Sequence, residues 1–129
     1  MIKEIIWFIQ RGRRGWADCD VWDFDDYLCN IIPQGLRKLK GGVGCPSEFY
    51  DKEAKNKECH LWDETLEEMA QGFEAAKFLK SCGYQKMIPS KEKPKYWKME
   101  IDQEAMKNAK EKMDRGLQLF AKHFFTLWD

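Results

Sequence analysis

The residues best suited to chemistry in this sequence are two cysteines and a histidine around its first long loop. Cys45 lies inside that loop, and Cys59 and His60 are adjacent to each other at its end. Zinc in proteins takes four thiolate or imidazole ligands in a tetrahedron, often from a loop and the helix that follows it. The spacing therefore predicts one structural zinc ion bound by Cys45, Cys59 and His60, which would pin the loop.

The fourth zinc ligand stays open at the level of sequence. Cys82 is the next cysteine, but an intervening helix that rises about 1.5 Å per residue would place it roughly 30 Å from Cys59. No paired CxxC is present, so the spacing matches no standard zinc finger, and unlinked side chains are the alternative interpretation. The other candidates for the fourth position are water, His123, Cys19, Glu48 and Asp51.

Acidic residues are concentrated in two blocks of the chain. Residues 16–30 and 61–75 each contain five acidic residues and no basic one. The first block does not fit a calcium-binding loop, because Trp22 and Asp23 stand where an oxygen ligand and a glycine are required. Helix caps and solvated helix faces are the simpler interpretation. A partner-binding role is predicted for the same side chains: Asp18, Asp20, Asp23, Asp25, Asp26, Asp63, Glu64, Glu67, Glu68 and Glu74.

Basic residues offer an alternative contact, with nucleic acid. Arg11, Arg13 and Arg14 alternate with glycines next to Trp16, a mixture found where proteins contact phosphates or RNA. Five aspartates follow within a few residues, so pairing inside the chain competes with that role. The lysines of residues 86–98 form a second basic segment.

Motifs for nucleophilic or nucleotide chemistry are missing from the sequence. It contains no GxSxG elbow, no Walker loop and no glycine pattern for a dinucleotide. The adjacent Cys59 and His60 cannot easily face each other as nucleophile and base. We therefore predict a protein without enzymatic activity. A metal-dependent hydrolase is the enzymatic alternative.

Length and composition limit the class of protein further. A chain of 129 residues has the size of one domain. Its 22 basic residues balance 22 acidic ones, which excludes a bulk attraction for polyanions. No run of about 18 apolar residues occurs, and the arginines follow the opening apolar run, so we expect no membrane span, no signal peptide and a cytoplasmic location. Five cysteines in that setting argue against a disulfide framework.

The elements that must position these residues are helices. Apolar residues at helical spacing predict helices at residues 22–39, 61–81 and 101–128, with a kink or break at Pro33. The opening residues are also predicted to be helical, because nothing nearby offers a strand partner. Residues 41–57 and 83–98 are predicted to be long loops. The expected fold is an all-α, single-domain helical bundle over residues 1–129, with two long loops, one of them pinned by zinc.

Several motifs resemble those of a family of small proteins encoded by tailed phages and prophages of Gram-positive bacteria. They are residues 15–22 (GWADCDVW), the helix at residues 62–73 and the closing residues 127–129. The resemblance implies a phage origin. Small prophage proteins with acidic patches are similar to anti-defence factors, including type II-A anti-CRISPR proteins, some of which contain zinc.

That resemblance implies a host protein as the partner, most concretely a CRISPR effector nuclease. The acidic faces would then dock on the basic nucleic-acid channel of the nuclease and block the loading of target DNA. The alternative is a nucleic-acid-associated accessory protein of phage replication or packaging, which would use Arg11, Arg13, Arg14 and the lysines of residues 86–98.

Overall fold

The computed structural model describes residues 1–42, 44–49, 59–93 and 95–128. It contains five α-helices, two short 3-10 turns and one two-stranded antiparallel sheet in that part of the chain. The prediction of a helical fold is confirmed, with a small sheet added. The elements are α1 (Ile2–Arg14), α2 (Asp18–Trp22), α3 (Phe24–Leu39), a 3-10 turn (Ser47–Phe49), α4 (His60–Lys80), β1 (Gln85–Pro89), β2 (Trp97–Ile101), α5 (Gln103–Lys122) and a second 3-10 turn (Phe124–Thr126).

Helix α4 is the centre of the fold and packs between α3 and α5. Leu66, Met69 and Ala70 are fully buried along it, and Trp62 and Phe73 lie at either end of the same stripe. These positions repeat every three or four residues, so one helix face is apolar throughout. Leu36 of α3 and the partly buried side chains of Leu119, Phe120 and Leu127 complete the core.

Helices α4 and α5 come closest to each other at a pair of glycines. A Cβ atom built on Gly72 would lie 2.6 Å from the Cα atom of Gly116 and 3.1 Å from the carbonyl oxygen of Lys112. Contacts below 3.0 Å to backbone atoms are not found for real Cβ atoms. Both positions therefore require glycine for the two helices to pack this closely, at the expense of helix propensity.

The first predicted helix breaks at a different place than expected. Pro33 lies buried inside the continuous helix α3, and the break falls at Asp23, between α2 and α3. Asp23 adopts φ −136° and ψ 58°, which is not helical, and it serves as the end of one helix and the start of the next. The predicted break at Pro33 is therefore wrong, because the helix is interrupted at Asp23, ten residues earlier.

The second predicted loop, at residues 83–98, is largely a β-hairpin, and this prediction is wrong. Strands β1 and β2 pair with Met87 opposite Met99 and Pro89 opposite Trp97. The hairpin joins α4 to α5, and its base is closed by the Asp102 N–H, which donates to the Tyr84 carbonyl at 2.9 Å. Residues 97–101 alternate apolar and charged side chains as a strand does, whereas Gly83 and Pro89 favour a loop for this segment.

The C-terminal helix is shorter than predicted. It ends at Lys122, where His123 leaves helical geometry and a 3-10 turn follows. Phe120 contacts Phe73 in the core with ring centroids 5.1 Å apart. By contrast, Phe125 is 92% exposed. The terminal aromatic stripe is therefore core at Phe120 and surface from the 3-10 turn onward.

Candidate interaction surface

A tight turn joins α1 to α2 and fixes how the two helices face each other. Gly15 ends α1 with φ 81°, a left-handed conformation that favours glycine. Ala17 is fully buried, and its N–H donates to the Asp20 carboxylate at 2.7 Å. Tyr27 of α3 donates its hydroxyl hydrogen to the Gly15 carbonyl at 2.7 Å. Residues 15–22, the motif that suggested a phage family, therefore have a structural role in this turn.

Ion pairs hold one side of α1 against α2. The Arg11 guanidinium donates to the Asp20 carboxylate, with Nε 3.0 Å from Oδ2, and lowers the pKa of Asp20 to about 2. Gln10 and Arg14 both donate to the Asp18 carboxylate, and together they lower its pKa. The Arg11–Asp20 and Arg14–Asp18 ion pairs therefore hold α1 to α2 at two positions.

An apolar groove of about 380 Å³ lies beside this turn, between the end of α1 and the outer face of α3. Its aromatic side chains are ordered by contacts within the chain. The Arg14 guanidinium lies 3.8 Å above the centre of the Trp16 ring, and the rings of Phe24 and Tyr27 are stacked 6.2 Å apart. The groove is lined by Arg14, Gly15, Trp16, Val21, Phe24, Tyr27, Leu28 and Ile31.

The polar groups at the wall of the groove already have partners. The Tyr27 hydroxyl donates to Gly15, and Arg14 binds the Asp18 carboxylate and the Trp16 carbonyl. Small-molecule sites usually combine an apolar wall with a few polar groups that orient the ligand. This groove offers shape and apolar surface, which suits an anchor side chain of a protein partner.

All ten predicted partner-binding carboxylates accept a hydrogen bond or form an ion pair within the chain. Arg37 binds both Glu67 and Glu74, which lowers the pKa of Glu67 to about 2 and also lowers that of Glu74. Lys80 binds Asp23 and Asp25. These pairs tie α3 to α4, so the carboxylates have a structural role, and their partner role stays a prediction.

The other acidic side chains are engaged more locally. Asp18 and Asp20 face the α1 arginines as described. Asp26 accepts from Asn30 and Asp63 accepts from the Gly41 N–H at 3.0 Å. Glu64 lies 3.0 Å from the His60 imidazole, and Glu68 accepts from Arg115 at 3.1 Å.

The predicted zinc ligands are not brought together as a metal site. His60 begins α4 with an exposed side chain whose Nε2 faces Glu64, and Cys59 precedes it at the helix start. Cys45 packs partly buried against the core. Within the described ranges, no three His, Cys, Asp or Glu side chains lie close enough to hold a metal ion. Asp51 lies outside the described residues, and zinc stays a prediction without support from this geometry.

Aromatic packing holds the described part of the first loop instead. Phe49 contacts the rings of Trp62 and His123 at centroid distances of 5.2 and 5.3 Å. His123 is 2% exposed, and its Nδ1 lies 3.1 Å from the Glu48 carboxylate. Two of the candidates for the fourth zinc ligand, Glu48 and His123, are thus each other's partner. Cys19 lies beside Arg11 and Asp20, and Cys82 lies beyond the far end of α4.

Some of the residues predicted to contact nucleic acid form ion pairs within the chain, and others do not. Arg11 and Arg14 are paired with aspartates, whereas Arg13 makes no ion pair within the described part of the chain. On the hairpin, Tyr96 and Trp97 are exposed close to several lysines of residues 86–98. Lys86 alone among those lysines pairs with a described carboxylate, that of Asp102 at 3.2 Å. The alternation of exposed aromatic and basic residues on a hairpin was missed in the sequence because that segment was assigned to a loop.

Comparisons with known proteins assign no family to this chain. No helix in the described ranges has the length and apolar character required to cross a membrane. The predicted phage family and the anti-CRISPR activity stay predictions. No protein-family model matches the sequence, and neither the curated proteins nor the solved structures searched give a match.

Proposed function

We propose that this chain is a non-enzymatic protein-binding protein that uses the groove beside the α1–α2 turn as its contact surface. The observation that supports this function is the exposure of large apolar side chains there. Trp16, Val21, Phe24 and Ile31 each keep about 40–50% of their surface exposed, and all four line the same groove. Apolar surface on a folded domain marks an interaction site when it is contiguous.

The most concrete version of this function is inhibition of a host defence protein by a phage-encoded inhibitor. In that version the partner is an RNA-guided nuclease, and occupation of its nucleic-acid channel blocks target-DNA loading. We place the affinity on the groove, because the acidic side chains are already paired within the chain.

Cleavage assays with a purified RNA-guided nuclease test this version. The wild-type chain should reduce the cleaved fraction of target DNA, and Phe24→Glu should weaken that inhibition at least about tenfold because it charges the groove wall. Phe125→Glu is the matched control, since it makes the same change at an exposed aromatic residue that does not line the groove. Equal inhibition by wild type and Phe24→Glu would contradict the groove, and no inhibition by the wild type would contradict the nuclease as partner.

The general proposal has its own test. A tagged chain added to host lysate should retain a protein that survives nuclease treatment, and Phe24→Glu should release that protein while Phe125→Glu keeps it. Loss of the captured protein on digestion of nucleic acid would contradict direct protein binding.

The second candidate function is binding of single-stranded nucleic acid by the hairpin. Its support is the exposure of Tyr96 and Trp97 among lysines, since stacking on aromatic rings combined with cationic side chains binds single strands without sequence preference. Fluorescence anisotropy with a labelled oligonucleotide should show salt-dependent binding that Trp97→Ala weakens several-fold. Arg13→Ala is the comparison that assigns the contact to α1 instead. Binding unchanged by both substitutions would contradict this function.

A further inference from the structure

The rotation of α1 about its own axis points its most apolar face away from the described remainder of the chain. Trp7, Gln10, Arg11 and Arg14 recur at helical spacing on one side of the helix. Trp7 contacts the Trp22 ring of α2 edge to face at 6.2 Å, and the other three make the polar contacts with Asp18 and Asp20 described above.

Four isoleucines occupy the opposite side of α1. Ile2, Ile5, Ile6 and Ile9 follow an i, i+3, i+4, i+7 pattern, which places them on one stripe. Their exposed fractions lie between 48% and 77%, and no residue of α1 is buried. Since the ion pairs to α2 fix the other side inward, α1 cannot turn this stripe onto the body without breaking them.

A helix of this kind requires a partner to be stable. It has 13 residues, which is about the length at which isolated helices are marginal in water. Within the described part of the chain, α2 is its main neighbour. An aliphatic stripe with the spacing of a helix–helix seam provides the missing stabilisation when a second helix covers it.

We infer that two copies of this chain associate through the outward stripe of α1, with Ile2, Ile5, Ile6 and Ile9 of one copy packed against the same residues of the other. This interface is distinct from the groove of the proposed function and does not depend on it. In a twofold-symmetric pair the same patch serves both copies, so the stripe is its own complement.

The area of the stripe agrees with what a dimer needs. At about 200 Å² for a fully exposed large apolar side chain, the four isoleucines with the neighbouring Phe8 expose roughly 600 Å². A stable interface buries about 800 Å² per partner, of which somewhat more than half is apolar. The stripe together with Phe8 therefore supplies the apolar part of a standard interface.

The charges around the stripe agree with a second copy as well. The chain has no net charge, so two copies do not repel each other at long range. Arg13 is the one charged residue at the end of the stripe. An antiparallel pair of α1 helices keeps the two Arg13 side chains at opposite ends, whereas a parallel pair would bring them together.

Sedimentation equilibrium of the full chain over a range of concentrations tests the inference. We expect a reversible monomer–dimer equilibrium, and we expect Ile5→Glu to raise the dimer dissociation constant at least about 100-fold, because each dimer receives the charge twice. Phe125→Glu is the matched control, since it also replaces an exposed apolar side chain and lies on the 3-10 turn at the other end of the chain. Circular dichroism should show an unchanged melting transition of the α3–α4–α5 core in all variants, as α1 contributes nothing to the buried core.

Charge pairing gives a second, independent readout. Ile5→Glu and Ile5→Lys should each be monomeric alone, and an equimolar mixture should form a heterodimer at a concentration where neither associates. A wild-type chain that stays monomeric at about 100 µM would overturn the inference. So would dimerisation unaffected by Ile5→Glu, or a monomer that instead co-sediments with vesicles of phosphatidylserine and phosphatidylcholine, which would assign the stripe to a membrane surface.

Discussion

Alanine in place of Gly72 tests whether the close contact of α4 and α5 sets the stability of the core. A Cβ at this position would lie 2.6 Å from the Gly116 Cα atom, whereas non-bonded carbons prefer about 3.5–4.0 Å. Because the opposing atoms belong to backbone, the helices must separate by about 1 Å. That separation would loosen the contact of Phe73 with Phe120 of α5.

The size of the effect follows from two opposing contributions. Alanine gains about 1 kcal/mol over glycine in helix propensity, and overpacking of a tight contact costs about 1–3 kcal/mol or more. Because the clash here is with backbone atoms, we expect the upper part of that range and a net loss of about 1–2 kcal/mol in the free energy of unfolding. For a chain of this length that loss lowers Tm by about 3–8 °C.

Gly35 provides the matched control for this substitution. It lies inside α3, and a Cβ there would meet nothing within 4 Å. Gly35→Ala should therefore show the propensity gain alone and raise stability by up to about 1 kcal/mol. Urea denaturation followed by circular dichroism measures both variants. A Gly72→Ala chain as stable as Gly35→Ala would refute the claim that the two helices meet at this glycine pair.

Three further predictions concern the turn, the ion pairs and the metal. Gly15→Ala should lower the free energy of unfolding of the N-terminal segment by about 1 kcal/mol, because the residue has positive φ, and hydrogen exchange of α1 amides should detect it. Since the folded pKa of Glu67 is about 2 against 4.5 for a free side chain, its contribution is fully present above pH 4.5 and is lost as the pH falls towards 2. Arg37→Gln should make the free energy of unfolding depend less on pH between pH 4.5 and about 2, as measured by urea denaturation at each pH. Metal analysis of protein purified without added zinc decides the zinc prediction, which requires about one ion per chain and a lower content in Cys59→Ser; a metal-free wild type would contradict it.

The sequence predicts helices well where burial itself is periodic. The stripe from Trp62 to Phe73 determines α4 almost to the residue, because its buried positions repeat without interruption. At Pro33 the same reasoning fails, since α3 accommodates the proline. The real break depends on Asp23, whose conformation allows Lys80 to reach both Asp23 and Asp25, a contact between distant parts of the chain.

The interaction surface was less predictable than the core for a related reason. The isoleucines of α1 are apolar and helical in the sequence, and such a stripe is normally expected to be buried. What turns it outward is the pairing of Arg11 and Arg14 with Asp20 and Asp18, and sequence charge blocks do not reveal which carboxylate each arginine binds. The metal prediction had the same limit, because adjacency of Cys59 and His60 says nothing about where their side chains lie.

The hairpin between α4 and α5 has a practical consequence for work on this protein. Its base is closed by the Tyr84–Asp102 contact, and among the described elements its two strands pair mainly with each other. Residues at its tip, such as Lys91 and Glu92, are exposed and distant in the chain from the buried stripe of α4. Exposed tips of this kind tolerate insertions. An epitope or a fluorescent label grafted there would report on the protein in cells while leaving both the groove and the α1 stripe unmodified.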